Sequence, residues 1–377
     1  MESTITSIGM MSGSSLDGLD MACALFTVNP EADTPQEWLL DWNLVATAMI
    51  SFPESWTTRL REAPGLSGLQ LAKIHTDFGS FLGQHVRQFV QEYQLQPDCI
   101  ASHGHTIFHY PEAGFTTQIG CGATIAALAG ATTIDNFRAL DLALGGQGAP
   151  LAPIADEYLF GSYDICLNLG GIANLSTKTK AGYVAFDIGG ANQILNAIVQ
   201  PLGLAYDEGG QMARLGQLQP ALLEKVNALP YFSQPYPKSL GNNWVKDTQW
   251  PIFANTDCST EDKLNTACWQ IAGQIAKAIA ETTSKTERNG QLPKVFVTGG
   301  GAFNHFLLEC IDQACAHKQP IDLIVPEPDI INFKEALLMA LMGALRLSAR
   351  TNCRASVTGA SRDCSGGSIH YCPSVLT

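Results

Sequence analysis

Glycine turns that follow short apolar runs are the feature of this sequence that most constrains its fold. Three such runs lead into glycines, at 165–169, 183–186 and 295–297. In α/β proteins a strand followed by a glycine turn brings backbone to the carboxyl end of the strand, where ligands bind. The 35 glycines have no regular period, which excludes a collagen-like fibre. The sequence therefore predicts strands whose carboxyl ends carry a binding site.

Helical periodicity fills the segments between these turns. Apolar residues recur at helical spacing over 66–93, and further helices are predicted over 261–282, from 304 onward and over 332–347. Alternating strands and helices predict an α/β fold, and 377 residues are enough for two or three domains. The segment 230–250 is rich in aromatic residues, proline and asparagine, so we expect a loop or lid there.

Charge and cysteine content exclude several classes of function. The net charge of −13 disfavours nucleic acid or an anionic membrane surface as a partner. The 11 cysteines are scattered without a CxxC pair and are odd in number, which is typical of reduced thiols rather than of a disulfide framework or a zinc site. No basic region followed by an apolar run stands at the N-terminus, so we expect a cytoplasmic protein.

The first candidate site is the turn within GMMSGSSLDGLD (9–20), between two predicted strands. No P-loop motif occurs in the chain. Any bound phosphate has to be held locally, by backbone amides, a metal ion or a few cationic side chains. The small residues at 12–15 can direct N–H groups and hydroxyls towards an anion, while Asp17 and Asp20 could hold a metal or orient the loop. A simple hairpin with serine, aspartate and glycine as turn formers is the alternative.

Two later turns carry related chemistry. Asp187 ends a strand and precedes Gly189, a position suited to a general base or a metal-bound water, although it could instead cap the next helix. Gly299–Gly301 follow another strand and lead into a helix N-terminus. Their backbone can lie flat against a ring or a phosphate, or can simply allow close packing of helix and strand.

A cationic side chain among apolar residues predicts part of a sugar pocket. Arg138 is a bidentate donor that suits a carboxylate. The alternative for Arg138 is an internal ion pair with Asp135 or Asp141. The sequence leaves these two interpretations open.

Taken in chain order, the three glycine loops resemble those of the sugar-kinase, heat-shock-ATPase and actin superfamily. Within it the chain resembles the anhydro-N-acetylmuramic acid kinase family over nearly its whole length. The resemblance is carried by GMMSGSSLDGLD (9–20), SHGHTIFHYP (102–111), QIGCGATIA (118–126), DNFRALDLALGGQGAPLAP (135–153), LNLGGIANLS (167–176), FDIGGANQILN (186–196), PYFSQPYPKS (230–239), VTGGGAFN (297–304), Lys334-Glu335-Ala336 and SVTGAS (356–361). GGQGAP and NLGGIANLS are the most specific strings, because no general constraint of a fold demands them.

The resemblance implies an α/β protein with a two-lobed, actin-like (ribonuclease H-like) ATPase fold and a central cleft. One lobe is expected to comprise 1–133 with 350–377, and the other 134–349. The implied partners are ATP, Mg²⁺, an anhydrosugar and a second copy of the chain in a homodimer, without nucleic acid or membrane.

The implied activity is an ATP-dependent phosphotransfer in peptidoglycan recycling. Similar enzymes hydrolyse the 1,6-anhydro bridge of 1,6-anhydro-N-acetylmuramic acid and phosphorylate O6, which gives N-acetylmuramate 6-phosphate. Asp187 matches the family's base, which takes a proton from water as the water attacks the anomeric carbon.

The resemblance also implies further site residues. The expected contacts to the nucleotide and its Mg²⁺ are Gly9, Ser12, Gly13, Ser14, Ser15, Asp17, Asp20, Gly170, Gly171, Gly189, Gly299, Gly300, Gly301, Asn304 and Glu335. Among them Asp17 is expected to hold Mg²⁺ through water, and Glu335 to lie near the far end of the nucleotide. The expected contacts to the sugar are His103, His105, Thr106, Arg138, Gln147, Asn174 and Asn192.

Several residues depart from the family's pattern. Cys121 stands where the family has aspartate, Ile188 where it has threonine and Asn196 where it has aspartate. His105 replaces a glutamine, whereas Asp187 is retained. These differences keep two alternatives open: a kinase for a different anhydrosugar, and a nucleotide-binding paralogue with weak or no catalysis.

Overall fold

The protein is described by a computed structural model that covers residues 2–13, 16–179, 182–236, 238–283 and 291–372. The chain forms two compact units, one of residues 1–161 with 333–377 and the other of residues 162–332.

The described residues of the first unit form eight strands. They are β1 (Ser3–Ser12), β2 (Gly18–Val28), β3 (Leu39–Ser51), β4 (Cys99–Ser102), β5 (His105–Tyr110), β6 (Phe115–Ile119), β7 (Thr133–Asp135) and β13 (Ser368–His370). Six of them form one sheet in the order β13-β7-β4-β1-β2-β3, and β5 and β6 form a separate hairpin. Strands β1, β2 and β3 are an antiparallel meander, while β4 runs parallel to β1 and β7 parallel to β4.

Helices of the first unit cover both faces of this sheet. They are α1 (Pro35–Trp38), α2 (Glu54–Glu62), α3 (Gly68–Glu92), α4 (Gly122–Ala129), α5 (Ala139–Ala143), α6 (Ala152–Tyr158), α15 (Ala355–Thr358) and the part of α14 (Pro328–Leu347) that follows Phe333. On one face, Phe78 and Leu82 of α3 share a core with Ile8 and Met10 of β1. On the other face α14 lies directly on β1. Because both faces are covered, residues 7–10 of β1 and 21–24 of β2 are buried in succession, without the alternation of a strand that has one exposed face.

The second unit repeats the same strand order. Its strands are β8 (Ile165–Leu169), β9 (Ile172–Thr179), β10 (Gly182–Gly190), β11 (Lys294–Thr298) and β12 (Asp322–Ile324), in the order β10-β9-β8-β11-β12. An antiparallel meander is again followed by two parallel strands. Two α/β units with this strand order confirm the predicted ribonuclease H-like, actin-like fold class.

Helices of the second unit enclose its sheet. They are α7 (Asn192–Val199), α8 (Gln211–Leu215), α9 (Pro220–Asn227), α10 (Asn242–Trp244), α11 (Trp250–Ala254), α12 (Thr260–Thr283) and α13 (His305–Ala316). The predicted helices over 66–93, 261–282, from 304 and over 332–347 correspond to α3, α12, α13 and α14, because their apolar residues recur with the helical period. None of the helices in the described part of the chain combines the length and apolar character needed to cross a bilayer.

The segment 230–250 differs from the expected loop. After a 3₁₀ turn at Pro230–Ser233, it is helical from Asn242 through α10, a π-helical turn at Val245–Gln249 and the start of α11. The ring of Trp244 packs against Phe232 at a centroid distance of 5.9 Å. Its aromatic residues therefore serve the core of the second unit.

The observed units also differ from the expected lobes, since residues 134–161 and 333–349 belong to the first unit. The physical reason lies in long-range pairing. Strand β7 pairs with β4 in the first sheet, so the chain cannot leave this unit at residue 133. Helix α14 packs on β1, and Phe333, with φ −110° and ψ 17°, interrupts the helix where the chain re-enters the unit.

Candidate active site

Three carboxylates, those of Asp17, Asp20 and Glu335, lie close enough together near the β1–β2 turn of the first unit for their charges to interact. Burial, followed by the charges of Asp17 and Glu335, raises the pKa of Asp20 to about 6. Burial also raises the pKa of Glu335, against the opposing charges of Arg138 and Lys334. Carboxylate oxygens are the donors that Mg²⁺ prefers. Among the described residues, however, these three side chains do not bring their oxygens within 4.8 Å of one another, so an ion here would be held in part through water. Glu335 is thus close enough to Asp17 and Asp20 for their charges to interact, and its place near the far end of the nucleotide stays a prediction.

The structure describes the turn itself only in part. Ser14 and Ser15, which were predicted to contact phosphate, lie outside the described residues. Gly13 precedes them, and its carbonyl accepts a long hydrogen bond of 3.4 Å from the N–H of Leu16. Ser12 is buried, and its Oγ lies 3.1 Å from Nδ1 of His105. Ser12 therefore connects the turn to the hairpin that carries His105.

Gly9 has a packing role that its pattern did not reveal. It is buried in β1 beneath α14, and a Cβ at this position would overlap the carbonyl oxygen of Ala336 and the backbone nitrogen of Ala340. The helix thus occupies the space next to Gly9. The expectation that Gly9 contacts the nucleotide is not supported.

A buried polar chain links His103 to Arg138. Nε of Arg138 donates to Nε2 of His103 at 3.0 Å, and Nδ1 of His103 lies 3.1 Å from the carbonyl oxygen of Gly104. Burial and the charge of Arg138 lower the pKa of His103 to about 3, so the imidazole is neutral. A neutral ring with its proton on Nδ1 satisfies both contacts. Burial also lowers the pKa of His105.

Arg138 forms neither of the ion pairs that the sequence left open. Its Nη1 donates to the carbonyl oxygen of Gly148 at 2.5 Å. Asp135 pairs with His370 at 3.1 Å, and a carboxylate oxygen of Asp141 accepts from the N–H of Gly148 at 2.7 Å. No ion pair of Arg138 occurs among the described residues. The nearby charge of Glu335 interacts with the guanidinium without forming an ion pair with it.

Thr106 and Gln147 are the other predicted sugar contacts of this unit. The hydroxyl of Thr106 accepts from Nε2 of Gln118 at 3.3 Å. The side chain of Gln147 is exposed, while its N–H donates to the carbonyl of Thr358 at 2.9 Å. The C-terminal segment thus holds the backbone at Gln147 and leaves its amide accessible.

In the second unit, Asp187 is held by a segment far along the chain. It lies on β10 beside a β-bulge that separates it from Gly189 in the pairing with β9. Its Oδ2 accepts from the N–H of Leu240 at 2.8 Å and lies 3.4 Å from the hydroxyl of Ser239. The Tyr231 hydroxyl donates to its main-chain carbonyl at 2.7 Å. Burial raises the pKa of Asp187, and the two hydrogen bonds to its carboxylate partly oppose that rise.

The alternative role of Asp187 as a helix cap is not realised. Helix α7 has Ala191 at its N-cap, with no side-chain hydrogen bond there. Asn174 lies directly opposite Asp187 in the β9–β10 pairing. Directly opposed residues of antiparallel strands project to the same side of the sheet, so the amide of Asn174 accompanies the carboxylate.

Glycine turns of the second unit converge at the carboxyl ends of the parallel strands β8 and β11. The carbonyl of Gly170 accepts from the N–H of Asn192, and that of Gly171 from the N–H of Ala191. The side chain of Asn192 reaches 2.9 Å to the carbonyl of Leu169. A Cβ on Gly301 would press against the same leucine, whereas one on the exposed Gly300 would have space. The predicted residues 170–171, 192 and 299–301 are thus brought together.

Two predicted nucleotide contacts have structural roles instead. Gly189 is buried, and a Cβ there would lie 2.8 Å from the ring of Phe232. Asn304 is buried at the N-cap of α13, where its Oδ1 accepts from the N–H of Leu307 at 2.9 Å. Sequence alone cannot separate such roles from ligand binding, because both use the same residue types after a strand.

Comparison with known proteins decides the family. The model of the anhydro-N-acetylmuramic acid kinase family matches residues 5–372. The chain belongs to this family. Curated members with that name include those of Gloeobacter violaceus, 34% identical with 96% of this chain and 98% of that protein covered, and of Mannheimia succiniciproducens, 31% identical with the same shares. The Coxiella burnetii member is 32% identical, with 97% of each chain covered.

The chain also has a more distant likeness to solved structures of other families. A ROK family glucokinase from Streptomyces griseus in complex with glucose and AMPPNP is 11% identical, with a TM-score of 0.37 over 89% of this chain and 98% of that one. Component A of the Acidaminococcus fermentans (R)-2-hydroxyglutaryl-CoA dehydratase is 11% identical, with a TM-score of 0.40 over 89% and 96%. The fold assignment depends on the strand order of each unit.

Sequence reasoning missed the residues that hold the candidate side chains in place. Tyr231, Ser239 and the backbone of Leu240 surround Asp187, and Asp141 and Thr358 hold the loop beside Arg138. The available signal lay in the strings PYFSQPYPKS and SVTGAS, which contain Tyr231, Ser239 and Thr358. Both strings belong to the family's pattern, although a loop by itself would not require them.

Proposed function

We propose that this protein is an ATP-dependent kinase that hydrolyses the 1,6-anhydro bridge of 1,6-anhydro-N-acetylmuramic acid and phosphorylates O6. The products are N-acetylmuramate 6-phosphate and ADP, which suits peptidoglycan recycling. The observation that carries the proposal is the family match over residues 5–372 together with the retained, half-buried carboxylate of Asp187.

Asp187 is the general base in this mechanism. It removes a proton from a water molecule as the water oxygen bonds to the anomeric carbon. The bond between that carbon and the bridge oxygen breaks, and its electron pair makes O6 the nucleophile. O6 then attacks the γ-phosphorus in line, and the bond to the ADP oxygen breaks. Burial supports this role, since a raised pKa makes the carboxylate of Asp187 a stronger base than an exposed one.

The phosphoryl group is held by the β1–β2 turn and the carboxylates beside it. Asp17 and Asp20 would hold Mg²⁺, Asp17 through water, with the charge of Glu335 close by. When bound, Mg²⁺ neutralises charge on the transferring group. The turns at 170–171 and 299–301 offer backbone to the nucleotide, with Gly300 exposed and unobstructed.

The sugar is recognised by polar groups set in apolar surroundings. Arg138 binds the lactyl carboxylate, and neutral His103 fixes the guanidinium plane from one side. His105, Thr106, Gln147, Asn174 and Asn192 remain the proposed contacts to the sugar hydroxyls and the acetamido group. A homodimer and a cytoplasmic location complete the proposal.

Mass spectrometry of the products tests this function. The protein is incubated with ATP, Mg²⁺ and the anhydrosugar in ¹⁸O-labelled water, for a time too short for anomeric exchange. We expect a sugar phosphate with one ¹⁸O on the anomeric carbon and none in the phosphate. Unlabelled product would contradict hydrolysis by water, and absence of ADP above background would contradict the kinase.

The variant Asp187→Asn tests whether Asp187 acts as the general base or only contributes to binding. We expect turnover to fall by about 10³-fold or more, in the range that general-base loss reaches, with ATP affinity retained. Asp207→Asn is the matched control, because Asp207 is a buried aspartate of the same unit that accepts from the N–H groups of Met212 and Ala213. An active Asp187→Asn protein would refute the assigned role.

A panel of anhydrosugars decides between this function and the two alternatives. A second anhydrosugar turned over faster would reassign the substrate. ATP binding without turnover of any sugar would indicate a paralogue without catalysis. Two of the departures from the family's pattern do not support a different substrate or a loss of catalysis. Ile188 is buried in the core, and Asn196 is exposed on α7.

A further inference from the structure

Asp141 is fully buried and anchors the loop that leads to Arg138. One carboxylate oxygen accepts from the N–H of Gly148 at 2.7 Å, and the other accepts from the hydroxyl of Thr358 at 2.7 Å. The thiols of Cys353 and Cys364 lie within 4.8 Å of this carboxylate. Because protein donors already occupy both oxygens, the cluster is a hydrogen-bonded anchor.

Gly148 transmits this anchoring to the guanidinium. Its φ of +65° is a left-handed conformation, and a Cβ would overlap the side chain of Leu142, so only glycine fits. In this conformation its N–H points to Asp141 while its carbonyl accepts from Nη1 of Arg138. The carboxylate therefore controls the position of the carbonyl that Arg138 bonds.

The remaining edge of Arg138 is left for a ligand. Nε is bonded to His103, and one N–H of Nη1 is bonded to Gly148. Among the described residues, no acceptor bonds to Nη2. The second N–H of Nη1 and the near N–H of Nη2 form the parallel pair of donors that matches a carboxylate.

We propose that Asp141 is a positioning residue that gives the protein its selectivity for an anhydrosugar bearing a carboxylate. It acts through Gly148 on the orientation of Arg138 and does not itself touch the sugar. The inference rests on the proposed function, because it takes the lactyl carboxylate as the ligand of Arg138.

Two sugars serve as probes: 1,6-anhydro-N-acetylmuramic acid, and the same compound with the lactyl group replaced by a hydroxyl. Calorimetry gives the affinity of each, and steady-state kinetics gives kcat and KM. We expect Asp141→Asn to weaken binding of the first sugar about tenfold, mainly in KM, because the uncharged amide offers Gly148 a weaker acceptor. Binding of the second sugar should stay within twofold.

A double-mutant cycle with Arg138→Gln tests whether Asp141 acts through Arg138. In a protein that already carries Arg138→Gln, we expect Asp141→Asn to cause no further loss of discrimination between the two sugars. The reason is that residues in one network do not contribute additively. Thr358→Val removes one hydrogen-bond donor to Asp141 at nearly constant side-chain shape. Like Asp141→Asn, it should weaken binding of the first sugar. Thr358→Ser should restore it. These two variants also serve if Asp141→Asn does not fold.

Several outcomes would overturn the proposal. An equal loss for both sugars in Asp141→Asn would indicate a purely structural role, and additive losses in the cycle would show that Asp141 acts independently of Arg138. The wild type binding both sugars equally well would remove the selectivity itself. Asp207→Asn is the control and should leave the ratio of the two affinities unchanged. Selective binding without turnover would contradict the proposed function alone, since calorimetry needs no reaction.

Discussion

At the scale of single residues, the chemistry of Asp187 depends on a distant segment of the chain. Its strand determines where the carboxylate stands, but the donors to Oδ2 come from Ser239 and Leu240. Burial raises the pKa of Asp187, and these donors lower it. The sequence predicted the candidate base, because a carboxylate after a strand is a local signal. It could not predict the donors, because nothing local indicates that residues 239–240 reach this strand.

Ser239→Ala should move the acidic limb of the pH profile to higher pH. A general base acts when deprotonated, so kcat/KM rises as the pH increases through the pKa of Asp187. The Ser239 hydroxyl favours the charged carboxylate, and its removal raises that pKa further, while activity on the plateau is retained. The measurement is kcat/KM between pH 4 and pH 8.

Ser233→Ala is the control for this shift. Ser233 lies on the same segment, and its hydroxyl donates to the carbonyl of Pro230, away from Asp187. The acidic limb of the pH profile of Ser233→Ala should coincide with that of the wild type. A limb for Ser239→Ala that stays in place or moves to lower pH would contradict the account.

At the scale of elements, contacts between helices and strands decide what individual glycines do. The glycine-rich N-terminal string suggested phosphate binding for Gly9, Gly13 and their neighbours alike. The structure separates them, because Gly9 lies under α14 inside β1 while Gly13 belongs to the turn after the strand. The sequence predicted α14 by its period, but not the strand on which it packs.

Gly9→Ala should destabilise the protein by about 3 kcal/mol or more, because a methyl group at this position overlaps backbone atoms of α14 that cannot rotate away. Gly273→Ala should have the opposite effect. Gly273 lies inside α12 with open space around its Cβ position, so alanine should stabilise the helix by about 0.5–1 kcal/mol. Urea unfolding of both variants gives the two free energies. A Gly9→Ala protein as stable as the wild type would refute the packing role.

At the scale of the whole molecule, the chain leaves the first unit at residue 161 and returns to it at residue 333. The second unit is one continuous stretch with its own sheet and core. The first unit is discontinuous, because α14 and β13 come from the C-terminal part of the chain. The predicted lobe boundaries joined 350–377 to the first lobe correctly but assigned 134–161 and 333–349 to the other. The period of α14 predicts a helix there but does not reveal that this helix packs on β1.

Expressed alone, residues 162–332 should fold, and residues 1–161 should not. The fragment 162–332 keeps every strand of its sheet. The fragment 1–161 lacks α14 and leaves the α14 face of β1 exposed. Circular dichroism during urea titration checks this. We expect one cooperative transition for 162–332 and none for 1–161. A cooperative transition of 1–161 would show that α14 is dispensable for the first unit.

The sequence by itself determined the α/β class, the long helices, the family and the candidate base Asp187. These features are local: a period needs one or two turns of helix, and a family string such as GGQGAP is contiguous. A local pattern also survives substitution around it, which is why the retained Asp187 remains recognisable beside Ile188.

Only the tertiary structure decided which residues act together. Glu335 lies with Asp17 and Asp20, and Asp141 holds the glycine that orients Arg138. The physical reason is that such sites form from side chains far apart in the chain, brought together by sheet order and helix packing. Those are properties of the folded chain as a whole, and no single stretch of sequence specifies them.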